Sequence, residues 1–233
     1  MRAAAVGSGA GAIRALFVTH LHSDHITDLN DVFTTRWVTS FSPDPLAVFG
    51  PVGTAQLMAA TEAMLEPDIG YRLSHHADLT WRPSSVTTEV TAGVVFERGE
   101  VRVIAGPTDH APVTPTVGYR IEDRGRSVVI AGDTVPCEGL DRLCAGADAL
   151  VHTVVRPDLL APIGLDRITD ILGYHSSVAD AAATAARAGV PTLVLTHMVP
   201  APAPGSEQEW RDLATPHFDG TVVVAADLVT VEV

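Results

Sequence analysis

Residues 19–25 read Thr19-His20-Leu21-His22-Ser23-Asp24-His25, which places three histidines and one carboxylate within six consecutive positions. The apolar residues 15–18 come just before and predict a buried strand that ends at this cluster. Neutral imidazole nitrogens and carboxylate oxygens are the usual protein ligands of zinc and related divalent ions. Because His20 and His22 are two positions apart, their side chains point to the same side of an extended segment. The stretch therefore predicts a metal site at a strand-to-helix junction, with two ligands for one ion and two for a neighbouring ion.

The composition is that of a globular protein. The chain has 233 residues, of which 46% are hydrophobic and 18% are charged, so it can form one domain with a substantial core. Its net charge of −13 argues against broad attraction to nucleic acid, which needs clustered lysine and arginine. No apolar run approaches the ~20 residues of a membrane helix. The two cysteines and the lack of a recognisable signal peptide predict a cytoplasmic protein.

The predicted elements mix β-hairpins with strand–helix units. Helices are predicted over residues 26–38, 54–65, 140–145, 178–188 and 207–213. Strands are predicted over residues 14–19, 46–49, 94–96, 101–105, 116–121, 127–131, 149–151, 192–196, 222–225 and 228–233. Residues 66–91 lack a clear period and are predicted to form an irregular insertion or arm in a single domain over residues 1–233. Hairpins exclude a purely parallel architecture, so we expect two mixed β-sheets with helices outside.

Three further ligand-type residues each follow an apolar predicted strand. They are His110, Asp133 and His197. Alone, each histidine would be interpreted as structural and the aspartate as a turn residue. Ligands at strand ends are held by the scaffold while the surrounding loops vary. Together with the first cluster, these residues favour a site with two metal ions.

This set of motifs resembles the metallo-β-lactamase-fold hydrolase superfamily, and within it the ribonuclease Z-like branch. The residues that carry the resemblance are His20-x-His22-x-Asp24-His25, His110, Gly132-Asp133-Thr134 and Thr196-His197, supported by Gly50-Pro51, Gly118-Tyr119-Arg120 and His175-Ser176-Ser177. The resemblance implies an α/β (α+β) fold, an αββα sandwich. It also implies two divalent metal ions, zinc in the usual case and manganese or iron as alternatives.

The resemblance assigns a role to each matching position. It implies one ion on His20, His22 and His110, a second ion on Asp24, His25 and His197, and Asp133 as the bridge between them. A water between the ions would then attack a phosphoryl or carbonyl centre. Asp24 would orient or deprotonate this water. His175 would stabilise or protonate the leaving oxygen, although an exposed position at a helix start is the alternative for this residue.

Two features depart from the pattern of the branch. The branch has an acidic residue where this chain has Thr153, and a hydroxyl cannot supply that charge. Together with the acidic composition, Thr153 predicts that RNA is disfavoured as a substrate, which leaves a smaller phosphodiester, an ester, a sulfate or a lactone as the open choices. Only residues 1–13 precede the first predicted strand, so we expect an incomplete N-terminal sheet. The open edge predicts a homodimer, and a misassigned start site is the alternative.

The leading hypothesis is a binuclear metal-dependent hydrolase, a phosphodiesterase related to ribonuclease Z. An ester, aryl sulfate or lactone hydrolase would use the same ligands. A metal-binding protein without activity is the hypothesis from a different class, and Thr153 and the short N-terminal segment motivate it.

Overall fold

The computed structural model describes residue 5 and residues 7–233. The chain divides into two compact units between Val90 and Thr91, and the single-domain interpretation stays a prediction. Among the described residues, no helix is both long and apolar enough to cross a membrane. The cytoplasmic location also stays a prediction.

The first unit contains a three-stranded sheet. Its strands are β1 Ala15–Phe17, β2 Leu46–Gly50 and β3 Ser85–Glu89, and its helices are α1 Ser23–Ile26, α2 Leu29–Val38 and α3 Thr54–His75. The strand order is β1-β2-β3, and both pairings are parallel. Helices connect the strands, which is the connection that parallel neighbours require. Mixed pairing was expected for both sheets, and the pairings in this one are all parallel.

The core of the first unit lies where its helices pack on the sheet. The buried apolar side chains of this core are Val18, Leu29, Phe33, Leu46, Val48 and Met58. Phe17 stacks on Phe49 with the ring centroids 5.1 Å apart. The rigid end of β1 then leads directly into the histidine-rich loop.

Helix α3 differs from the expectation that residues 66–91 are irregular. It continues through Pro67 to His75, and residues 85–89 form β3. Proline removes one hydrogen bond from a helix interior, but here tertiary packing compensates. Ile69, two residues later, is fully buried, and the Arg72 Nε donates to Asp68 Oδ2 at 2.8 Å. The irregular part is thus confined to the residues between α3 and β3.

The second unit is built on a seven-stranded sheet. Its strands are β4 Gly93–Arg98, β5 Val101–Pro107, β6 Val117–Asp123, β7 Arg126–Ile130, β8 Ala149–Val155, β9 Thr192–Val199 and β10 Thr221–Val224. Its α-helices are α4 Glu138–Cys144, α5 Pro157–Leu160, α6 Asp166–Asp170, α7 Val178–Ala188 and α8 Glu207–Ala214. The order is β10-β9-β8-β7-β6-β5-β4, antiparallel from β4 to β7 and parallel from β7 to β10. Two sheets with helices confirm the expected fold class.

Helix α7 forms as the sequence predicts. Ser177 is its N-cap and forms a capping box with Asp180, and Gly189 ends it with a φ of 68°. Its small residues Ala181 and Ala185 are fully buried in the core of the unit. The strand predicted over residues 228–233 does not form, because Leu228 has a φ of 71° and interrupts the extended backbone.

The topology of the second unit positions its candidate ligands. Strands β5 and β7 are both antiparallel to β6, and β7, β8 and β9 are parallel. Strands β5, β7, β8 and β9 therefore end at the same edge of the sheet, which is where α/β proteins bind their ligands. His110 follows β5, Asp133 follows β7, and His197 lies near the end of β9.

Candidate metal centre

The histidine-rich loop of the first unit brings four candidate ligands together. The chain leaves β1, extends through His22 and turns into the single-turn helix α1. The ring of His20 lies 5.0 Å from that of His22 and 4.1 Å from that of His25, centroid to centroid. The ligand atoms of His20 and His22 are within 4.8 Å of one another. This spacing is what two ligands of one ion require.

Asp24 and His25 form a second pair in the same loop. Asp24 Oδ2 lies 3.6 Å from His25 Nε2. The Asp24 side chain is 61% exposed, whereas His20 is fully buried. Within the loop, His20 is thus buried, His22 and His25 are partly buried, and Asp24 is the side chain that solvent and substrate can reach.

In the second unit, two imidazole rings surround the carboxylate of Asp133. Its Oδ2 lies 3.2 Å from His175 Nε2 and 4.0 Å from His110 Nε2. The Asp133 side chain is only 2% exposed. A buried carboxylate is costly unless positive charge or hydrogen-bond donors compensate it. The cluster therefore fits a cation or an imidazolium beside Asp133.

Backbone carbonyls fix the orientation of both imidazole rings. His110 Nδ1 lies 2.8 Å from the carbonyl oxygen of Tyr174, and His175 Nδ1 lies 2.9 Å from that of Ile171. A carbonyl only accepts hydrogen bonds, so each Nδ1 carries a hydrogen. In a neutral His110 ring, Nε2 is then an electron-pair donor that faces the carboxylate of Asp133. The His110 Nε2 and the Asp133 carboxylate oxygen are then two electron-pair donors that face each other in a buried site, which fits a metal ion. The backbone carbonyls hold the rings in orientation by accepting hydrogen bonds from their Nδ1 atoms.

His197 occupies an unusual backbone conformation. Its φ is 45° although it is not glycine. The β8–β9 register shifts here, because Thr153 pairs with Thr196 whereas Val155 pairs with Val199. Bulges of this kind are over-represented next to active sites, where they change the direction of a side chain. A left-handed residue costs ~1–2 kcal/mol, and such strain collects at functional sites.

His152 is a further histidine near this edge, and it differs from the candidate ligands. It is completely buried, and its Nδ1 lies 2.7 Å from the Thr153 carbonyl oxygen. Burial lowers its pKa to about 4, so the ring is neutral at pH 7. We assign it a structural role.

The eight predicted site residues are divided between the two units. The first unit carries His20, His22, Asp24 and His25, and the second carries His110, Asp133, His175 and His197. Sequence reasoning missed the residues that hold them. Thr134 and Ser176 lie within motifs noted in the sequence. The sequence did not show that the Thr134 hydroxyl donates to the Asp109 carbonyl and the Ser176 hydroxyl to the Thr134 carbonyl. The Tyr174 carbonyl had no sequence signal at all.

Comparison with known proteins defines the class. A family model described as a beta-lactamase superfamily domain matches residues 2–198. A metallo-β-lactamase fold protein from Bacillus subtilis superposes with a TM-score of 0.67 at 20% identity, over 93% of this chain and 76% of its own. Fold and site thus define a hydrolase of the metallo-β-lactamase superfamily, with the donor set of a divalent-metal site.

Relatives of much higher identity narrow the class. Ribonuclease Z of Mycobacterium bovis (strain BCG / Pasteur 1173P2) is 57% identical over 100% of this chain and 84% of its own length. Ribonuclease Z of Mycobacterium tuberculosis (strain ATCC 25618 / H37Rv) is 55% identical over 100% of this chain and 83% of its own. The short form of human tRNase Z superposes with a TM-score of 0.64 at 25% identity, over 96% of this chain and 80% of its own. The chain belongs to the ribonuclease Z family.

Family membership confirms the predicted class of activity. The protein is a metal-dependent hydrolase, a phosphodiesterase related to ribonuclease Z. The expectation that RNA is disfavoured is not supported, because these relatives are themselves named for a ribonuclease. Net charge was a poor guide here, since it averages over the whole surface and says little about one cleft.

Proposed function

We propose that the protein is an endoribonuclease that hydrolyses RNA phosphodiester bonds with two zinc ions. The observation that carries the proposal is the buried Asp133 carboxylate with His110 and His175 at 4.0 and 3.2 Å. The identity of 57% to proteins named ribonuclease Z, over 100% of this chain and 84% of the relative, supports the substrate class. Imidazole and carboxylate donors without thiolates suit zinc, with manganese or iron as alternatives.

The proposed ligand assignment follows the family pattern. One ion would be held by His20, His22 and His110, and the other by Asp24, His25 and His197. Asp133 would bind both ions. The spacing of His20 and His22, and of Asp24 and His25, supports this assignment within the first unit. When bound, the ions would supply Lewis-acid charge to the reacting phosphate and acidify water.

Two side chains would handle protons. Asp24 is exposed to solvent, so it can accept a proton from an attacking water. His175 keeps its Nδ1 hydrogen on the Ile171 carbonyl, so its Nε2 is the atom that can pass a proton to the leaving oxygen. Asp133 would orient this ring through the 3.2 Å contact.

Metal analysis after zinc-replete expression tests the centre. We expect about two zinc ions per chain and turnover of both bis(p-nitrophenyl) phosphate and an RNA substrate. Asp133→Ala should lose metal and activity, whereas Asp212→Ala on α8, an exposed control, should retain both. A wild-type protein that stays metal-free after zinc-replete expression would contradict the proposal.

The role of His175 predicts a dependence on the leaving group. His175→Ala should slow cleavage of an RNA bond, which has a poor leaving group, by about 100-fold. Release of p-nitrophenol, a good leaving group, should slow much less. His217→Ala, at an exposed histidine outside both clusters, is the control. Equal losses on both substrates would show that His175 is not a proton donor.

A second candidate function rests on Thr153. Its hydroxyl donates to the Gly132 carbonyl at 3.0 Å, so this position provides no charge next to the site. A smaller phosphodiester, or an aryl sulfate, ester or lactone, would need less charge than RNA. A side-by-side panel of these substrates distinguishes the candidates, and a higher kcat/KM on any of them than on RNA would favour the second.

The homodimer remains a proposal. Phe41, Tyr71 and Met64 of the first unit are large apolar side chains with exposures of 98%, 72% and 60%. Where such side chains form a contiguous apolar patch, they favour association. Light scattering of the purified protein should give the mass of two chains, and a single-chain mass would exclude the dimer.

A further inference from the structure

Side-chain hydroxyls hold the backbone carbonyls of the two residues that flank Asp133. The Thr153 hydroxyl donates to the Gly132 carbonyl at 3.0 Å, and the Ser176 hydroxyl donates to the Thr134 carbonyl at 2.8 Å. Both hydroxyl residues are buried. Asp133 is thus the central residue of a turn whose two flanking carbonyls are fixed from β8 and from the start of α7.

The same turn is tied to the loop that carries His110. The Asp109 amide donates to the Thr134 hydroxyl at 3.0 Å. The Val135 amide donates to the Asp109 carbonyl at 2.8 Å. The backbone next to His110 and the backbone next to Asp133 therefore cannot move independently.

This turn needs external support. It leaves β7 through Gly132, whose φ of 68° lies in the left-handed region, and no regular ladder continues to Asp133. A small rotation at Gly132 would swing the Asp133 carboxylate away from His110 and His175. Polar ligands are held precisely only when hydrogen bonds around them restrict their backbone and rotamers.

We propose that Thr153 and Ser176 are positioning residues that hold Asp133 in the geometry required for metal binding. This inference rests on the proposed metal centre. It gives a role to Thr153, the position at which the sequence departs from the acidic pattern of the branch. An ionised carboxylate only accepts hydrogen bonds and could not donate to the Gly132 carbonyl, whereas the threonine hydroxyl does.

Metal affinity of isosteric variants tests the proposal. Thr153→Val removes the hydroxyl and keeps the shape, and Thr153→Ser keeps the hydroxyl. Thr184→Val on α7 is the matched control, because Thr184 is fully buried and its hydroxyl only accepts a long 3.4 Å hydrogen bond from Arg187. Zinc affinity is measured by competition with a chromophoric chelator, and the unfolding of the metal-free proteins is measured in parallel.

We expect Thr153→Val to weaken zinc binding about tenfold, and Thr153→Ser to restore affinity to within about twofold of wild type. Thr184→Val should bind zinc like wild type even if its thermal stability falls. The inference is overturned if Thr153→Val retains wild-type zinc affinity. It is also overturned if Thr153→Ser and Thr184→Val lose as much zinc affinity as Thr153→Val does. If Thr153→Val does not fold, Ser176→Ala applies the same test from the other side of Asp133. A wild-type protein that binds no zinc would instead overturn the proposed function.

Discussion

At the scale of single residues, the candidate centre depends on side chains placed at a cost to stability. His197 has a left-handed backbone, and Asp133 is a buried carboxylate. Neither choice stabilises a protein in the absence of a ligand. The sequence predicted both residues as ligands, because each ends an apolar strand. It could not predict the bulge at His197, since the register of β8 on β9 depends on long-range packing.

The strain at His197 predicts an inverted order of stability for small substitutions. At an ordinary strand position, alanine is more stabilising than glycine by about 0.5–1 kcal/mol. At His197 we expect the metal-free His197→Gly protein to unfold with a free energy about 1 kcal/mol above that of His197→Ala, since glycine avoids the Cβ clash. The same pair of substitutions at Thr196 should show the ordinary order. Urea denaturation in the presence of a chelator measures both, and an alanine variant as stable as glycine at position 197 would contradict the prediction.

His152 predicts a pH dependence of stability. Burial lowers its folded-state pKa from 6.5 to about 4, so the unfolded chain binds the proton first as the pH falls. The contribution of the neutral ring is complete above pH 6.5 and declines between pH 6.5 and pH 4. By pH 5 the loss reaches about 2 kcal/mol.

The variant His152→Asn tests this dependence. An asparagine amide can still donate to the Thr153 carbonyl but does not titrate. We compare the unfolding free energy of the metal-free variant with that of metal-free wild type by urea denaturation. The difference, variant minus wild type, should rise by about 2 kcal/mol when the pH is lowered from 7.5 to 5. A difference between the two proteins that does not change with pH would rule out the assigned ionisation of His152.

At the scale of elements, local signals were reliable where the chain carries its own caps and turns. Helix α7 forms over the predicted residues 178–188, with Ser177 as its N-cap and Gly189 after its end. The predicted strands 94–96 and 101–105 pair as an antiparallel hairpin, as do 116–121 and 127–131, with Gly99 and Gly125 at positive φ in the turns. Helix α3 could not be predicted beyond Pro67, because the packing of Ile69 offsets the local preference to stop.

Helix α4 packs so closely on β5 that position 139 tolerates no side chain. A Cβ at Gly139 would lie 1.8 Å from the Pro107 carbonyl oxygen, so Gly139→Ala should cost about 3 kcal/mol or prevent folding. Gly70 is the matched control in α3, because a Cβ there meets nothing within 4 Å. Gly70→Ala should therefore gain about 1 kcal/mol. Urea denaturation measures both, and a neutral Gly139→Ala would show that the two elements are further apart.

At the scale of the whole molecule, the sequence predicted the class of fold and every candidate ligand, but not their support. Ligand chemistry appears directly in residue types and spacing, as in residues 20–25. The hydroxyls of Thr134, Thr153 and Ser176 resemble any other buried hydroxyls until the fold brings them to Asp133. The acidic net charge of −13 led the substrate prediction away from RNA, although family membership points towards it.

The proposed centre predicts that zinc stabilises the entire protein. A ligand that binds only the folded state at 100 times its Kd adds about 2.7 kcal/mol, which corresponds to about 5–10 °C in Tm for a chain of this size. Thermal unfolding with zinc and with a chelator should show this shift for wild type and for Asp212→Ala. Asp133→Ala should show almost none. A shift of equal size in Asp133→Ala would place the stabilising zinc elsewhere.

The left-handed backbone at His197 has a consequence for the history of the sequence. Random substitution in a lineage without catalysis tends to remove residues that cost stability and return nothing, and glycine at position 197 needs no rearrangement of the bulge. A chain that had become an inactive metal-binding remnant would be under no selection to keep a strained imidazole there. A strained imidazole at position 197 is therefore expected only where the metal centre offsets its cost to stability.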